Sequence, residues 1–339
     1  MTRARCSPCH GAQEGREWPV SRRSVVAGLA ATPFAVPAFV RSAWANDVVR
    51  VACPQKGAWD TMITVQGDMN GFFKKAGIDV DVTYTAGGSD TIQVVATRGV
   101  DIAMATGTTA AIGAYAHGAP IRILSAENTG QNDIYWYVKA SSPIKSFADM
   151  NGKSIGFTRP GSSSFIAEHL MATNFKVSPN FVSSGEMPAT RTMVMSNQLD
   201  AGWAVPPTNF DILKQGQIRI IARGSDVPQL RGQTTRVNIV NAGFLSEKRE
   251  LAARFLKVYL QTIDWMYAHQ DEALKRWAGW NNVDMDIARE AIKFFPKSAY
   301  NPGVLFFNQS LADALTYKAI DKPLTLEQQK DIFAQVAVR

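Results

Sequence analysis

Two short stretches combine glycine with consecutive hydroxyl side chains: Gly107-Thr108-Thr109 and Gly161-Ser162-Ser163-Ser164. Each follows an apolar run and precedes a helix-like segment, so each is expected to open a helix, where the first amides lack internal partners and carry partial positive charge. Glycine lets a ligand approach the backbone and hydroxyls donate beside the free amides, an arrangement that satisfies an anionic head group. The same residues are also good helix caps; their recurrence at two corresponding turns is what points to binding. A third turn, Gln55-Lys56-Gly57-Ala58-Trp59, offers a cation in Lys56 and a ring in Trp59, with a solvated lysine and a packed tryptophan as the alternatives. Trp203, just before Pro206 and Pro207, is a similar case, and Asn128 adds an amide beyond the apolar run Ile121–Ala126. Arg159, beside Gly161, reads as a surface residue. No paired carboxylates, Ser/His/Asp or Cys/His constellation stands in these turns, so no catalysis is expected. His117, His169 and His269 are isolated in sequence, so no metal is expected either.

The elements that must position these residues alternate short β-like runs with helix-length segments, the pattern of a parallel sheet covered on both faces. Strands are expected at Val48–Ala52, Ile78–Tyr84, Asp101–Ala105 and Ile121–Ala126, with helices at Thr61–Lys75, Thr91–Arg98 and Thr108–Ala116 between them. Ser141, Ser142 and Pro143 interrupt this series with turn chemistry. It restarts with strands at Lys153–Thr158, Leu199–Trp203 and Ile218–Ala222 and helices at Ser162–Thr173, Ala189–Ser196 and Asn209–Gln215. Everything from Ser246 onward reads as helical, and Leu251, Phe255, Val258, Tyr259, Thr262 and Met266 line one face of its longest helix. Tyr135–Lys139 and Arg236–Val240 are expected to be two crossing segments between lobes. The implied organisation is a first lobe over 46–138, a second over 139–235, and a return strand with C-terminal helices over 236–339.

Residues 1–45 read as an address and not as structure. Arg22 and Arg23 precede an apolar run, Val25–Val40, and small residues follow at Ala43 and Ala45. The arginine pair and the weak hydrophobicity around Gly28, Pro33 and Pro37 resemble a twin-arginine export signal. Val25, Val26 and Ala27 depart from its pattern, so the general secretory route stays open. The run is 16 residues long where about 20 are needed to span a bilayer, so cleavage near Ala45 and a soluble periplasmic product are expected. Cys6-Ser7-Pro8-Cys9-His10 spells a haem-attachment pattern, but it lies upstream of the export signal and would be discarded with it; no cofactor is expected. The leader holds six of the 36 Lys+Arg and two of the 29 Asp+Glu, so the rest of the chain carries close to +3 of the whole-chain +7. That removes the main support for nucleic-acid binding. With Cys53 the only cysteine beyond the leader, burial and not a disulfide must hold the fold.

Four stretches resemble the type II periplasmic binding proteins of the nitrate, sulfonate and taurine group, which also includes receptors for the thiamin pyrimidine. They are Gly71-Phe72-Phe73-Lys74-Lys75-Ala76-Gly77-Ile78, Val100-Asp101-Ile102-Ala103, the run from Ser142-Pro143-Ile144 to Asn151-Gly152-Lys153, and Leu199-Asp200-Ala201-Gly202-Trp203. The resemblance covers most of Val48–Asn209. It implies an α/β, two-lobed type II fold, with two βα sheets joined by two crossing segments. It also implies a monomeric solute receptor that passes a small-molecule ligand to the permease of an ABC importer in the inner membrane. The expected solute is a small organic anion of sulfonate, taurine or aromatic carboxylate type, held in an interlobe cleft. A neutral heteroaromatic solute, an exported enzyme and a ligand-presenting sensor are the competing readings.

Overall fold

The computed structural model describes residues 46–336; the expected export signal and the Cys6–His10 pattern lie outside the described residues. The chain builds two separate sheets. The first contains β1 (Asp47–Pro54), β2 (Ile78–Thr85), β3 (Ile102–Gly107), β4 (Ile121–Thr129) and β10 (Thr234–Asn241), in the order β2-β1-β3-β10-β4. β10 runs antiparallel to both neighbours, whereas β1 pairs parallel with β2 and β3. The second is assembled from β5 (Tyr135–Lys139), β6 (Ser154–Phe157), β7 (Asn180–Ser183), β8 (Gly202–Ala204) and β9 (Ile218–Arg223). β5 lies antiparallel between β8 and β9, and the β6-β7 pair joins them through a parallel bridge from Ile155 to Ala201.

The two sheets therefore share one order. In each, the antiparallel strand comes from the far side of a crossing: β5 enters the second sheet from β4 of the first, and β10 returns from β9. Tyr135–Lys139 and Arg236–Val240, expected to be the crossings, are instead central sheet strands. The connections proper are residues 130–134 and 224–233. All eight residues of β10 are buried, because it lies between β3 and β4 with helices on both faces.

Several helices start and stop where the sequence indicates. Thr108–Ala116 agrees to the residue, and Ser162 caps Ser163–Phe175 by accepting from the Phe165 amide at 3.2 Å. The segment read as one helix over Thr61–Lys75 is broken, since Gly71 adopts φ +66° and separates Ile63–Met69 from Phe72–Lys75. β7 was not expected: its four residues form the end of the second sheet and are only half-buried, so they carry no strong apolar signal. The C-terminal region is not helical throughout. Phe333 bridges to Ile123 beside the first sheet, and the Pro302 carbonyl accepts from the Ala126 amide at 2.9 Å. The longest helix, Arg249–Ala268, does bury Leu251, Phe255, Val258, Tyr259, Thr262 and Met266 as its spacing requires.

Candidate binding cleft

The C-terminal ends of β1 and β3 and of β6 and β8 converge on one cleft between the sheets. The two glycine-and-hydroxyl turns meet there backbone to backbone: a Cβ placed on Gly107 would lie 3.3 Å from the Gly161 carbonyl oxygen and 3.4 Å from the Ser163 amide nitrogen. Closer to the cleft mouth, Arg159 of the second lobe pairs with Asp90 of the first at 3.3 Å. The connecting segment adds a further tie, with Gln131 Nε2 donating to the Ser163 carbonyl at 2.8 Å. These contacts describe a closed arrangement of the lobes.

Two of the spaces inside it are lined by residues singled out in the sequence. A cavity of about 60 Å³ is lined by Gln55, Gly107, Ser162, Ser163 and Trp203 among the residues singled out in the sequence, room for about four to six waters. A crevice of about 10 Å³ beside it is lined by Gly107, Thr108, Thr109, Gly161 and Ser163. Not every hydroxyl is free to reach a ligand. Thr108 Oγ1 donates to the Thr234 carbonyl at 2.8 Å, and Ser164 Oγ is bonded to the Thr158 amide, to Thr158 Oγ1 and to Ser162 Oγ. Ser164 thus shapes the turn and does not line the cavity.

The remaining candidates lie elsewhere. Trp59 is fully buried, edge-on to Trp277 and Tyr267, so of its two readings the structure shows packing. Gly57 lies under Asn281, and its carbonyl accepts from Trp277 Nε1 at 2.7 Å. Lys56 is exposed and places its ammonium 4.7 Å from the centre of the Trp280 ring. Asn128 is buried within β4 and lines neither space, although its Oδ1 has no protein partner among the described residues. Trp203, the other tryptophan, does line the cavity, and its buried Nε1 likewise lacks an acceptor.

Sequence reasoning missed the most highly charged feature of the cleft. Arg236, at the start of β10, is surrounded by three carboxylates: its Nε donates to Glu127 Oε2 at 2.9 Å and its Nη2 to Asp60 Oδ2 at 3.1 Å and Asp133 Oδ2 at 2.6 Å. All four side chains are buried, and Asp60, Asp133 and Arg236 line the larger cavity. Burial pushes the Glu127 carboxyl up to about 8, with Arg236 opposing and Asp60 reinforcing the shift. Burial also raises Asp60, again against the pull of Arg236. For Arg236, burial works to lower the pKa, but Asp133, Glu127 and Asp60 together hold it well above the ordinary value. The four come from positions 60, 127, 133 and 236, so no local spacing announces them; the only cue is charge placed in otherwise apolar strand-like runs.

Two similar sheets, exchanged antiparallel strands and a cleft at the strand ends define the two-lobed α/β fold of the type II periplasmic binding proteins. The chain belongs to the NMT1/THI5 like family, whose model matches residues 60–273. Among solved structures it is similar to the periplasmic aliphatic sulphonate binding protein SsuA from Escherichia coli, at 16% identity and TM-score 0.67, covering 83% of this chain and 91% of that one. The periplasmic nitrate-binding protein NrtA from Synechocystis PCC 6803 is 14% identical with TM-score 0.65, covering 85% of each chain. The desulfurization enzyme DSZB shares the fold too, at 15% identity and TM-score 0.63, covering 84% of this chain and 96% of that one. No curated protein matches the sequence.

Proposed function

We propose that this protein is the extracytoplasmic solute-binding component of an ABC import system, exported to the periplasm by its leader. A solute bridging both lobes favours the closed form through contacts that exist only there, and the closed form docks on the membrane permease. The observation that carries this reading is the meeting of the Gly107 and Gly161–Ser163 turns beside a cavity lined by residues of both lobes. The free amides of those helix starts suit an anionic head group of sulfonate or carboxylate type, and the cavity size favours a solute of few heavy atoms over a large ring.

The enzyme reading takes its support from the fold shared with DSZB, but the residues here do not favour it. Cys53 is fully buried, burial holds its thiol far above the ordinary range, and it does not line the cavity. Native mass spectrometry of freshly purified protein tests the receptor reading. A low-mass adduct that is lost on partial unfolding and restored by back-titration is expected; absence of any adduct, together with no calorimetric heat from sulfonates, carboxylates, amino acids, nitrate or pyrimidines, would overturn it.

A further inference from the structure

Away from the cleft, a pocket of about 510 Å³ opens between the second lobe and the C-terminal helices. One wall is Phe210 and Leu213 of the helix Phe210–Lys214 with Ile220 of β9; the other is Ile287 of the helix Met285–Ala291 with Phe294 shortly after it. The second wall is tied to the first lobe, since Phe295 packs edge-on to Trp277, whose Nε1 donates to the Gly57 carbonyl. The volume falls in the range of small-molecule sites, roughly 300–1,000 Å³, which are usually lined by apolar side chains with a few polar groups. The charges around it are not all matched. Lys293 pairs with Glu290 at 2.6 Å, and Lys214 lies 4.0 Å from Asp286. Arg223 has no carboxylate within ion-pair distance among the described residues; the nearby Asp226 accepts from the Arg223 backbone amide at 2.7 Å instead. The half-buried guanidinium lies 3.7 Å over the centre of the Phe294 ring and its Nη2 donates to the Asn132 carbonyl at 2.7 Å, while Nη1 makes no protein hydrogen bond among the described residues. Burial lowers the pKa of this arginine, with Asp226 and Asp133 opposing, but a guanidinium stays charged near neutral pH.

We infer that this pocket is a second binding site, for an amphiphilic anion whose alkyl chain lies against Phe210, Leu213, Ile220, Ile287 and Phe294 and whose single acid group takes the free donor of Arg223. One unmatched cation beside apolar walls selects a ligand with one negative end and an apolar body. A neutral amphiphile gains the apolar contact alone, and a cationic one is repelled by the guanidinium. A second copy of this chain would also cover apolar side chains, but a concave space of small-molecule size with one unpaired charge fits a small ligand better. Leu213 and Arg223 line neither space of the cleft, so the inference does not depend on the cleft holding a solute.

The test is a ligand-observed NMR titration of the purified protein with octanoate, 1-octanol and octylammonium, all below the concentration at which they form micelles. The chain is constant across the three and only the head group changes. Octanoate is expected to bind at least about tenfold more tightly than 1-octanol, the scale of a charge-assisted hydrogen bond, and octylammonium most weakly. Arg223→Gln should bring octanoate down to the affinity of 1-octanol while 1-octanol itself is unaffected, a split that a purely structural role for the arginine would not produce. Leu213→Trp fills the pocket and should remove binding of both; Leu213→Glu, which sets a negative charge on the wall, serves should that variant not fold. Equal or tighter binding of 1-octanol or octylammonium, octanoate binding indifferent to these substitutions, or no binding of any probe overturns the second site and leaves the receptor reading intact. Sedimentation velocity covers the other occupant: a concentration-dependent dimer that Leu213→Trp abolishes would assign the pocket to a second copy of the chain and overturn the inference.

Discussion

Glu168 and Asp133 are both buried carboxylates with one oxygen bonded and the other lacking a protein donor among the described residues, yet their settings differ. Glu168 lies in the helix Ser163–Phe175, where Trp136 Nε1 donates to Oε1 at 2.6 Å and no ion pair is formed with it among the described residues. Burial holds its carboxyl well above the ordinary range, with the Trp136 bond opposing, which favours its neutral form inside the second lobe. Asp133 instead shares Arg236 with two other carboxylates and borders the cleft. Burial and an unpaired oxygen are thus common to both carboxylates; the counter-charge and the adjoining cavity separate them.

The largest expected effect breaks the charged side of this comparison. Arg236→Leu leaves three carboxylates buried without their cation and should destabilise by about 3–5 kcal/mol at pH 7. Urea unfolding should show part of that loss recovered at pH 5, because burial raises Asp60 and so eases its protonation. Next in size is closure itself. Gly107 has φ −58°, which any residue adopts, so Gly107→Val should fold normally but press a side chain into the Gly161–Ser163 backbone. Solute affinity should fall by about 1.4–2.8 kcal/mol, or 10- to 100-fold, with the unfolding midpoint nearly unchanged.

The neutral side of the comparison gives a smaller effect of opposite sign. A carboxyl whose folded pKa is raised keeps its proton after the unfolded chain has lost it, so stability is full below about pH 4.5 and declines as pH rises above that. Glu168→Gln should remove this penalty and stabilise at pH 8 by on the order of 1 kcal/mol, measured by urea unfolding across pH 5–8. Some slope should persist, because Asp60 and Glu127 titrate in the same direction. The smallest effect is at the cleft mouth. Arg159 and Asp90 are 44% and 35% exposed, so Arg159→Ala should weaken solute binding by less than about 1 kcal/mol, and less still in high salt.

How much of this was legible in the sequence follows from how local each feature is. Glycines and hydroxyls at strand-to-helix turns are local, and the helix Thr108–Ala116 and the Ser162 cap are found where they were expected. The alternating β and α runs also carried the two-sheet fold, because period and turn chemistry act within a few residues. Trp59 and Trp203 show where that stops. Both follow strand-like runs, but Trp59 is covered by Trp277 and Tyr267 from the C-terminal helices, about two hundred residues away, while Trp203 borders the cavity. The Arg236 group was invisible for the same reason: its members meet only after both crossings have been made. Lys56 stayed on the surface because its flexible stem finds Trp280 outside the cleft.

The direct measurement of a solute held between two moving lobes is an electron-spin distance between nitroxides on Thr97→Cys in the first lobe and Thr173→Cys in the second. Both positions are exposed, while Cys53 is buried and shielded from labelling. Saturation with a solute that gives binding heat should shift the distance distribution to a single narrow population matching the closed arrangement. A saturated protein whose distribution is identical to that of the solute-free protein would contradict the account.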